Sequence, residues 1–305
     1  MPGNIISQES VRERRLWIEE IQRLSGDFGA DTTRLSSILA SDIGSKGNGC
    51  LRDHLRLCGA IPEKYAHDST EEKLYSKYTD VLLSLAFAAM GIRSLVLAER
   101  ADAADVECWA DDYEFVADAK AFRLSRTAKN QKDFKINAMH SWKRHRLHAM
   151  VVCPLYQLPA SSSQIYYQAI NAHVCIFSFS HLALLTAYAE CASQAKAKEL
   201  LKIMFELTSI LHPSKDAGIY WRAVNQALLG FDPIIRALWE REKAAAAESL
   251  LDAKEEGLLF LGQERSRIMR MDHHEALEAL IKLHKLDSRT RTITSLTDNG
   301  LMGLT

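Results

Sequence analysis

Apolar residues along this chain follow two spacings in turn, and the changes between them divide it. Over residues 10–58, positions such as Val11, Ile18, Ile21 and Leu24 recur at helical intervals behind a capping-box pair, Ser10 and Glu13, and predict small helices. Leu74, Tyr78, Val81, Leu82 and Leu85 carry the same spacing through residues 70–90, and Gly91 closes that helix. The period then shortens. Strands are predicted at 94–98, 105–109, 113–119, 148–154 and 173–178, with helices at 136–146 and 161–172 between the later ones. The second and third strands form a hairpin around an acidic turn, Asp111 and Asp112. Helices alternating with strands imply an α/β fold built on a mixed β-sheet core flanked by helices. Past Ser180 only the helical spacing remains, at 181–193, 195–211, 217–229, 233–257 and 272–286, the last capped by Asp272 with Glu275. The expected organisation is an N-terminal helical segment at 1–65, the sheet-bearing core at 66–193 and an all-helical C-terminal extension at 194–305.

Composition changes this picture little. A chain of 305 residues, 47% apolar and 25% charged, suits one α/β domain with helical additions. The polar opening residues, with Arg12, Arg14 and Arg15 followed by Glu19 and Glu20, do not resemble a secretory signal. The longest apolar run, 81–90, is too short to span a bilayer, so a cytoplasmic protein without membrane partners is expected. Six cysteines lie scattered with no C-x-x-C pair, which favours reduced core thiols over disulfides or zinc. His273, His274 and His284 match no zinc spacing. No G-x-S-x-G elbow supports serine hydrolase chemistry. The glycine-rich tract Gly44 to Gly49 follows no strand and lacks G-K-[ST], so it reads as a turn, and no nucleotide cofactor is expected.

Charge patterning does change the picture. The net charge is only −1, yet nine cations stand against one acid between Lys120 and Arg146. Such a local patch either solvates a loop and helix or holds phosphates, with Ser125, Thr127, Asn130 and Gln131 available to read base edges. Immediately before it, Asp118-Ala119-Lys120 continues the strand Phe115-Val116-Ala117 with period-2 alternation, so acid and ammonium share one face. A carboxylate held there can ligate Mg²⁺ through hard oxygen, and the lysine can orient a water or steady charge on a phosphate. Taken alone, D-x-K is also common on solvated strand faces.

The run VADAKAFRLSRTAKNQKDFK, residues 116–135, resembles the catalytic and recognition segment of the HindIII family of type II restriction endonucleases, within the PD-(D/E)xK nuclease superfamily. The likeness continues through Ser69 to Leu74, Ser76-Lys77, Glu99-Arg100 and Ala104 to Val106. Downstream it takes in Ser163 to Ile165, Phe177-Ser178 and His181 to Ala183. It is clear over residues 60–190. The resemblance implies a restriction-endonuclease-like sheet and Mg²⁺-dependent cutting of double-stranded DNA. It further implies a homodimer matched to a palindrome, with AAGCTT cut after the first A. Asp118 and the Ala119 carbonyl would bind metal, and Lys120 would position the attacking water. The first metal-binding acid precedes D-x-K on the adjoining strand. Asp105 fits that role and Glu99 is a second candidate; no proline of the PD signature stands before Asp105. Glu72, early in its helix, either points toward the metal or simply favours the helix dipole. Arg123, Ser125, Arg126, Lys129, Asn130, Lys132 and Asp133 are the expected DNA contacts, with Asn130 the leading base reader because an amide pairs bidentately with adenine. Two other readings stay open: a repair or recombination nuclease of the same fold, and a DNA-binding module without catalysis.

Overall fold

The computed structural model describes residues 4–97, 103–126 and 131–295. Residues up to Gly257 form one compact unit and those from Leu258 another. At the centre of the first lies a five-stranded sheet in the order β1 (Arg93–Val96), β2 (Val106–Trp109), β3 (Glu114–Ala119), β4 (His148–Cys153) and β5 (Val174–Ser178). The first three strands run antiparallel as a meander, and β3–β4 and β4–β5 are parallel. The mixed α/β sheet expected from the sequence is therefore present. Each parallel step needs a crossover, supplied by α5 (Ile136–Trp142) and α6 (Gln164–Ala172).

Three helices precede the sheet: α1 (Gln8–Ile21), α2 (Phe28–Lys46) and α3 (Asn48–Leu57). The glycine-rich tract between α2 and α3 shrinks to one residue, Gly47, whose φ of +80° an L side chain rarely adopts. Helix α4 (Thr70–Ala89) starts where the Ser69 hydroxyl accepts from the Glu72 N–H, and it buries Leu74, Tyr75, Tyr78, Leu82, Leu83, Ala86 and Phe87. Phe87 meets Phe115 of β3 edge-on, which fixes α4 across the sheet. The Tyr75 hydroxyl reaches the Cys58 and Ala60 carbonyls, and Arg14 of α1 donates to Tyr75 and Ala60. The N-terminal helices thus buttress α4 from behind.

Past the sheet come α7 (Phe179–Cys191), α8 (Gln194–Ile210), α9 (Ala217–Phe231) and α10 (Ile234–Ile268), then α11 (His273–Leu283) and α12 (Leu286–Thr294). Helix α10 continues beyond residue 257, where the sequence reading stops it. Gly257 in a helix interior costs only about 1 kcal/mol against alanine, too little to end a 35-residue helix. No helix among the described residues is long and apolar enough to cross a membrane.

Among the described residues, strand β5 has a strand partner on one side only, and α9 meets the other. The Tyr220 hydroxyl accepts from the Ile176 N–H at 2.7 Å and donates to the Ile176 carbonyl at 2.9 Å, closing the free edge at its buried middle. Tyr220→Phe leaves both backbone groups unsatisfied and is expected to lower stability by about 2 kcal/mol in denaturant unfolding.

At the end of β5, Ser178 caps α7 by accepting from the His181 N–H, and its hydroxyl pairs with His181 Nδ1 at 2.7 Å. Burial pushes the His181 imidazole down to about 4, the contact with Asn225 opposing it. The unfolded chain binds this proton near pH 6.5, so His181 leaves stability unchanged above that value and lowers it as pH falls from about 6.5 to about 4. The full loss is about 3 kcal/mol for this group. Guanidinium unfolding at about pH 7.5 and about pH 4.5 should show a smaller acid loss in His181→Gln than in the parent chain. Equal losses would contradict this.

Candidate active site

The site is assembled at one end of the sheet, where β2 begins and β3 ends. The Asp105 carbonyl accepts from the Leu97 N–H, so Asp105 stands at the mouth of the hairpin just ahead of β2. Strand β3 runs antiparallel to β2, with Val106 opposite Ala117, which brings Asp118 beside Asp105. Lys120 extends β3 by one more bond, its N–H donating to the Val152 carbonyl at 2.7 Å. Asp118 and Lys120 share a face, as the alternation predicts, and Lys120 Nζ lies 2.5 Å from Asp118 Oδ1. The third acid comes from α4. Asp80 presents a carboxylate oxygen to the same point, and one oxygen from each of Asp80, Asp105 and Asp118 lies within 4.8 Å of the others. Lys77, one turn earlier on α4, puts its Nζ 3.8 Å from Asp80 and 3.6 Å from Asp105.

Electrostatically the cluster is under tension. Asp118 is wholly buried and Asp80 nearly so. Burial pushes the Asp118 carboxyl up to about 6; Lys120 opposes that rise and Asp105 adds to it. Burial, then Asp105 and Asp118, hold Asp80 well above the usual carboxylate range against Lys77 and Lys120. For Lys120, burial works against the ammonium, but Asp118 and then Asp105 and Asp80 outweigh it and keep its pKa above the ordinary lysine value. Three carboxyl groups face two lysines, and burial makes full ionisation of the acids costly without a further positive charge. Asp118 Oδ2 is buried without a hydrogen-bond partner. An all-oxygen donor set with one buried oxygen unpaired is the surrounding that a hard divalent cation satisfies, so the residues fit Mg²⁺. Ala119, whose carbonyl is a further candidate ligand, closes β3 between Asp118 and Lys120.

Glu72 takes no part in this group. It lies eight residues before Asp80 on α4, about 12 Å along the helix axis. Its carboxylate pairs with Arg123 at 2.9 Å and accepts from the Asp68 N–H at 2.6 Å. The acid that α4 contributes is Asp80, which the sequence reading passed over in favour of Glu72. A signal was available: Asp80 is an aspartate between Tyr78 and the apolar run Val81-Leu82-Leu83, and aspartates are almost never fully buried unless paired. Glu99, the alternative to Asp105, lies outside the described residues.

The stretch after Lys120 is tied back onto the chain between Ala60 and Glu72. Phe122 bridges to Ala60, and its carbonyl accepts from Gln157 Nε2 at 2.8 Å. Arg123 donates to the Tyr65 and Ala66 carbonyls as well as pairing with Glu72, so its guanidinium is engaged within the protein. Ser125 gives both its N–H and its hydroxyl to the Glu63 carboxylate. Arg126 is exposed, packs over the Phe122 ring and pairs with Asp133 at 2.6 Å. Lys132 is exposed at the surface. Thr127, Ala128, Lys129 and Asn130 lie outside the described residues. Farther along, the basic patch divides. Lys143 is buried, donating to the Ala172 carbonyl, and Arg146 pairs with Glu107 beside Trp109. These two cations brace the fold, whereas Lys135 and Arg144 face solvent.

The HindIII restriction endonuclease family profile matches residues 14–297 of this chain. The chain is also 32% identical, over 248 residues, to the type II restriction enzyme HindIII of Haemophilus influenzae, an overlap that covers 79% of this chain and 81% of that protein.

Proposed function

Because the chain belongs to the HindIII restriction endonuclease family, we propose that it is a type II restriction endonuclease making Mg²⁺-dependent double-strand cuts in DNA. The observation that carries this reading is the carboxylate cluster of Asp80, Asp105 and Asp118 with the Lys120 ammonium against it. Asp80, Asp105 and Asp118 would hold the cation, with the Ala119 carbonyl as a further ligand. Mg²⁺ bound there supplies positive charge to the scissile phosphate and the leaving 3′ oxygen. Lys120, kept charged by its acids, positions the attacking water and donates to a phosphate oxygen. Lys77 holds Asp80 and Asp105 in register and limits their mutual repulsion.

The target is the one that the family resemblance implies, and the retained recognition run supports it. Arg126-Thr127-Ala128-Lys129-Asn130-Gln131-Lys132-Asp133 favours AAGCTT, cut after the first A to leave a 5′ overhang. A palindrome is met by a two-fold symmetric homodimer, each subunit cutting one strand. No nucleotide cofactor takes part, and the enzyme works in the cytoplasm. Asn130→Ala is expected to cost about 1 to 3 kcal/mol of discrimination at one base position. Competition binding against single-base variants of the site measures it, and a uniform loss on all sequences would move Asn130 to the phosphate contacts.

The test of the whole reading is incubation of the purified protein with Mg²⁺ and a plasmid of known sequence, followed by sequencing of every fragment end. Cuts confined to AAGCTT are expected. Cuts at another palindrome would replace the target, scattered cuts would favour a repair-type nuclease, and binding without cleavage would favour a binding module.

A further inference from the structure

We propose that Asp42, Cys50 and His54 form a second metal site in the N-terminal helical layer, one that takes Zn²⁺ or an ion of similar ligand preference. One donor atom from each residue lies within 4.8 Å of the other two. Cys50 and His54 stand one turn apart on α3 and therefore on one face. Asp42 comes from α2, brought back by the tight turn at Gly47. The decisive feature is His54. Only 6% of it is exposed, its Nδ1 meets the Tyr78 hydroxyl at 2.8 Å, and its Nε2 is buried with no partner. A buried ring nitrogen without a hydrogen bond calls for an explanation, and a metal ion beside a thiol and a carboxylate supplies one.

The donor chemistry separates this site from the acids around Asp118. Thiolate, imidazole and carboxylate together suit Zn²⁺, whereas three carboxylates suit Mg²⁺. Burial pushes His54 down to about 4, so its ring is neutral and its lone pair is available. Burial also pushes the Cys50 thiol up to about 11, so the metal-free thiol keeps its proton. Binding exchanges that S–H proton for the metal, and the proton leaves to solvent. Tyr78 on α4 then serves as the outer partner that fixes the ring and its tautomer. Lys46 pairs with Asp42 at 2.9 Å and with Glu13 at 2.7 Å, holding one Asp42 oxygen and leaving the other for the ion. Its positive charge opposes a divalent cation; Glu13 and the Cys50 thiolate offset it. Glu13, Trp17, Asp42 and Lys46 line a surface cavity of about 720 Å³, which gives an ion its way in. A metal here would staple α2 to α3 and, through Tyr78, brace the helix that carries Asp80. Scanning the sequence for paired cysteines misses the site, because two ligands lie within one helical turn and the third across a glycine turn.

The test uses the full chain with its thiols kept reduced by a phosphine, titrated with Co²⁺ and then with Zn²⁺. Expected are a cobalt–thiolate charge-transfer band and tetrahedral d–d bands at one equivalent, displaced by Zn²⁺, together with a Zn²⁺-dependent rise in Tm. Co²⁺ at the carboxylate cluster would give no thiolate band. Cys50→Ser should abolish the band and the Tm response, Cys191→Ser should leave both, and Tyr78→Phe should weaken Co²⁺ binding roughly tenfold. Circular dichroism verifies the fold of each variant. A parent chain with no thiolate band, or a band retained in Cys50→Ser, would overturn the assignment.

Discussion

Asp118→Asn is expected to slow plasmid cleavage roughly a thousandfold, because several kcal/mol of metal-borne charge stabilisation correspond to about three factors of ten in rate. Asp118 is the fully buried member of the cluster, it anchors Lys120, and its Oδ2 is buried with no hydrogen-bond partner, as a metal ligand's would be. The amide keeps the shape but loses the charge, so DNA binding should survive the loss of cleavage. Asp80→Asn extends the test. If Asp80 holds the ion, that variant needs more Mg²⁺ to reach half-maximal rate, while Glu72→Gln needs no more than the parent, since Glu72 is engaged with Arg123. Glu72→Gln should instead loosen the segment after Phe122 and weaken DNA binding. The measurements are initial rates across an Mg²⁺ titration, with circular dichroism as a folding control. Unchanged cleavage in Asp118→Asn would remove the metal assignment, and an Mg²⁺ requirement raised by Glu72→Gln but not by Asp80→Asn would exchange the two acids.

How far this site could be read from the sequence depended on the range of the contacts that build it. Asp118 and Lys120 were legible because period-2 alternation fixes a face within three residues, and Asp105 because a hairpin brings its own two strands together. Asp80 was not. It reaches the cluster from a helix whose position is set by packing of Phe87 on Phe115 and by Tyr75 against the chain near Cys58, none of which shows in local spacing. Glu72 stands early in its helix and within the stretch that carries the family resemblance, and neither cue says where its side chain leads. The basic patch carried a similar limit. Counting charges located the patch, yet Lys143 and Arg146 turn inward onto the Ala172 carbonyl and Glu107, and a charge count has no direction. The five strands, by contrast, fall within two residues of their expected bounds; β4 and β5 are short apolar runs, and β2 alternates buried Val106 and Cys108 with half-buried Glu107 and Trp109.

Arg56→Met is expected to cost about 3 to 5 kcal/mol of stability, because it breaks a buried ion pair from one side. Arg56 on α3 grips Glu242 on α10 at both carboxylate oxygens, 2.9 Å from Nε and 2.5 Å from Nη2, and each side chain is 4% exposed. Its remaining nitrogen bonds Asp53 at 2.7 Å. Such a bidentate pair gains little net free energy over an apolar pair of the same size, because two charges were desolvated to make it. Removing one partner is different, since Glu242 is left charged in a buried place. The double variant Arg56→Met with Glu242→Leu should therefore recover most of what the single variant loses, and denaturant unfolding of parent, singles and double measures the coupling. A double variant as unstable as Arg56→Met alone would mean that packing, not the stranded charge, sets the cost. The effect should reach the active site by one route. Helix α3 packs on α4, which positions Asp80, so cleavage by Arg56→Met should fail at a lower temperature than in the parent and in step with unfolding, with an unaltered Mg²⁺ requirement below that temperature.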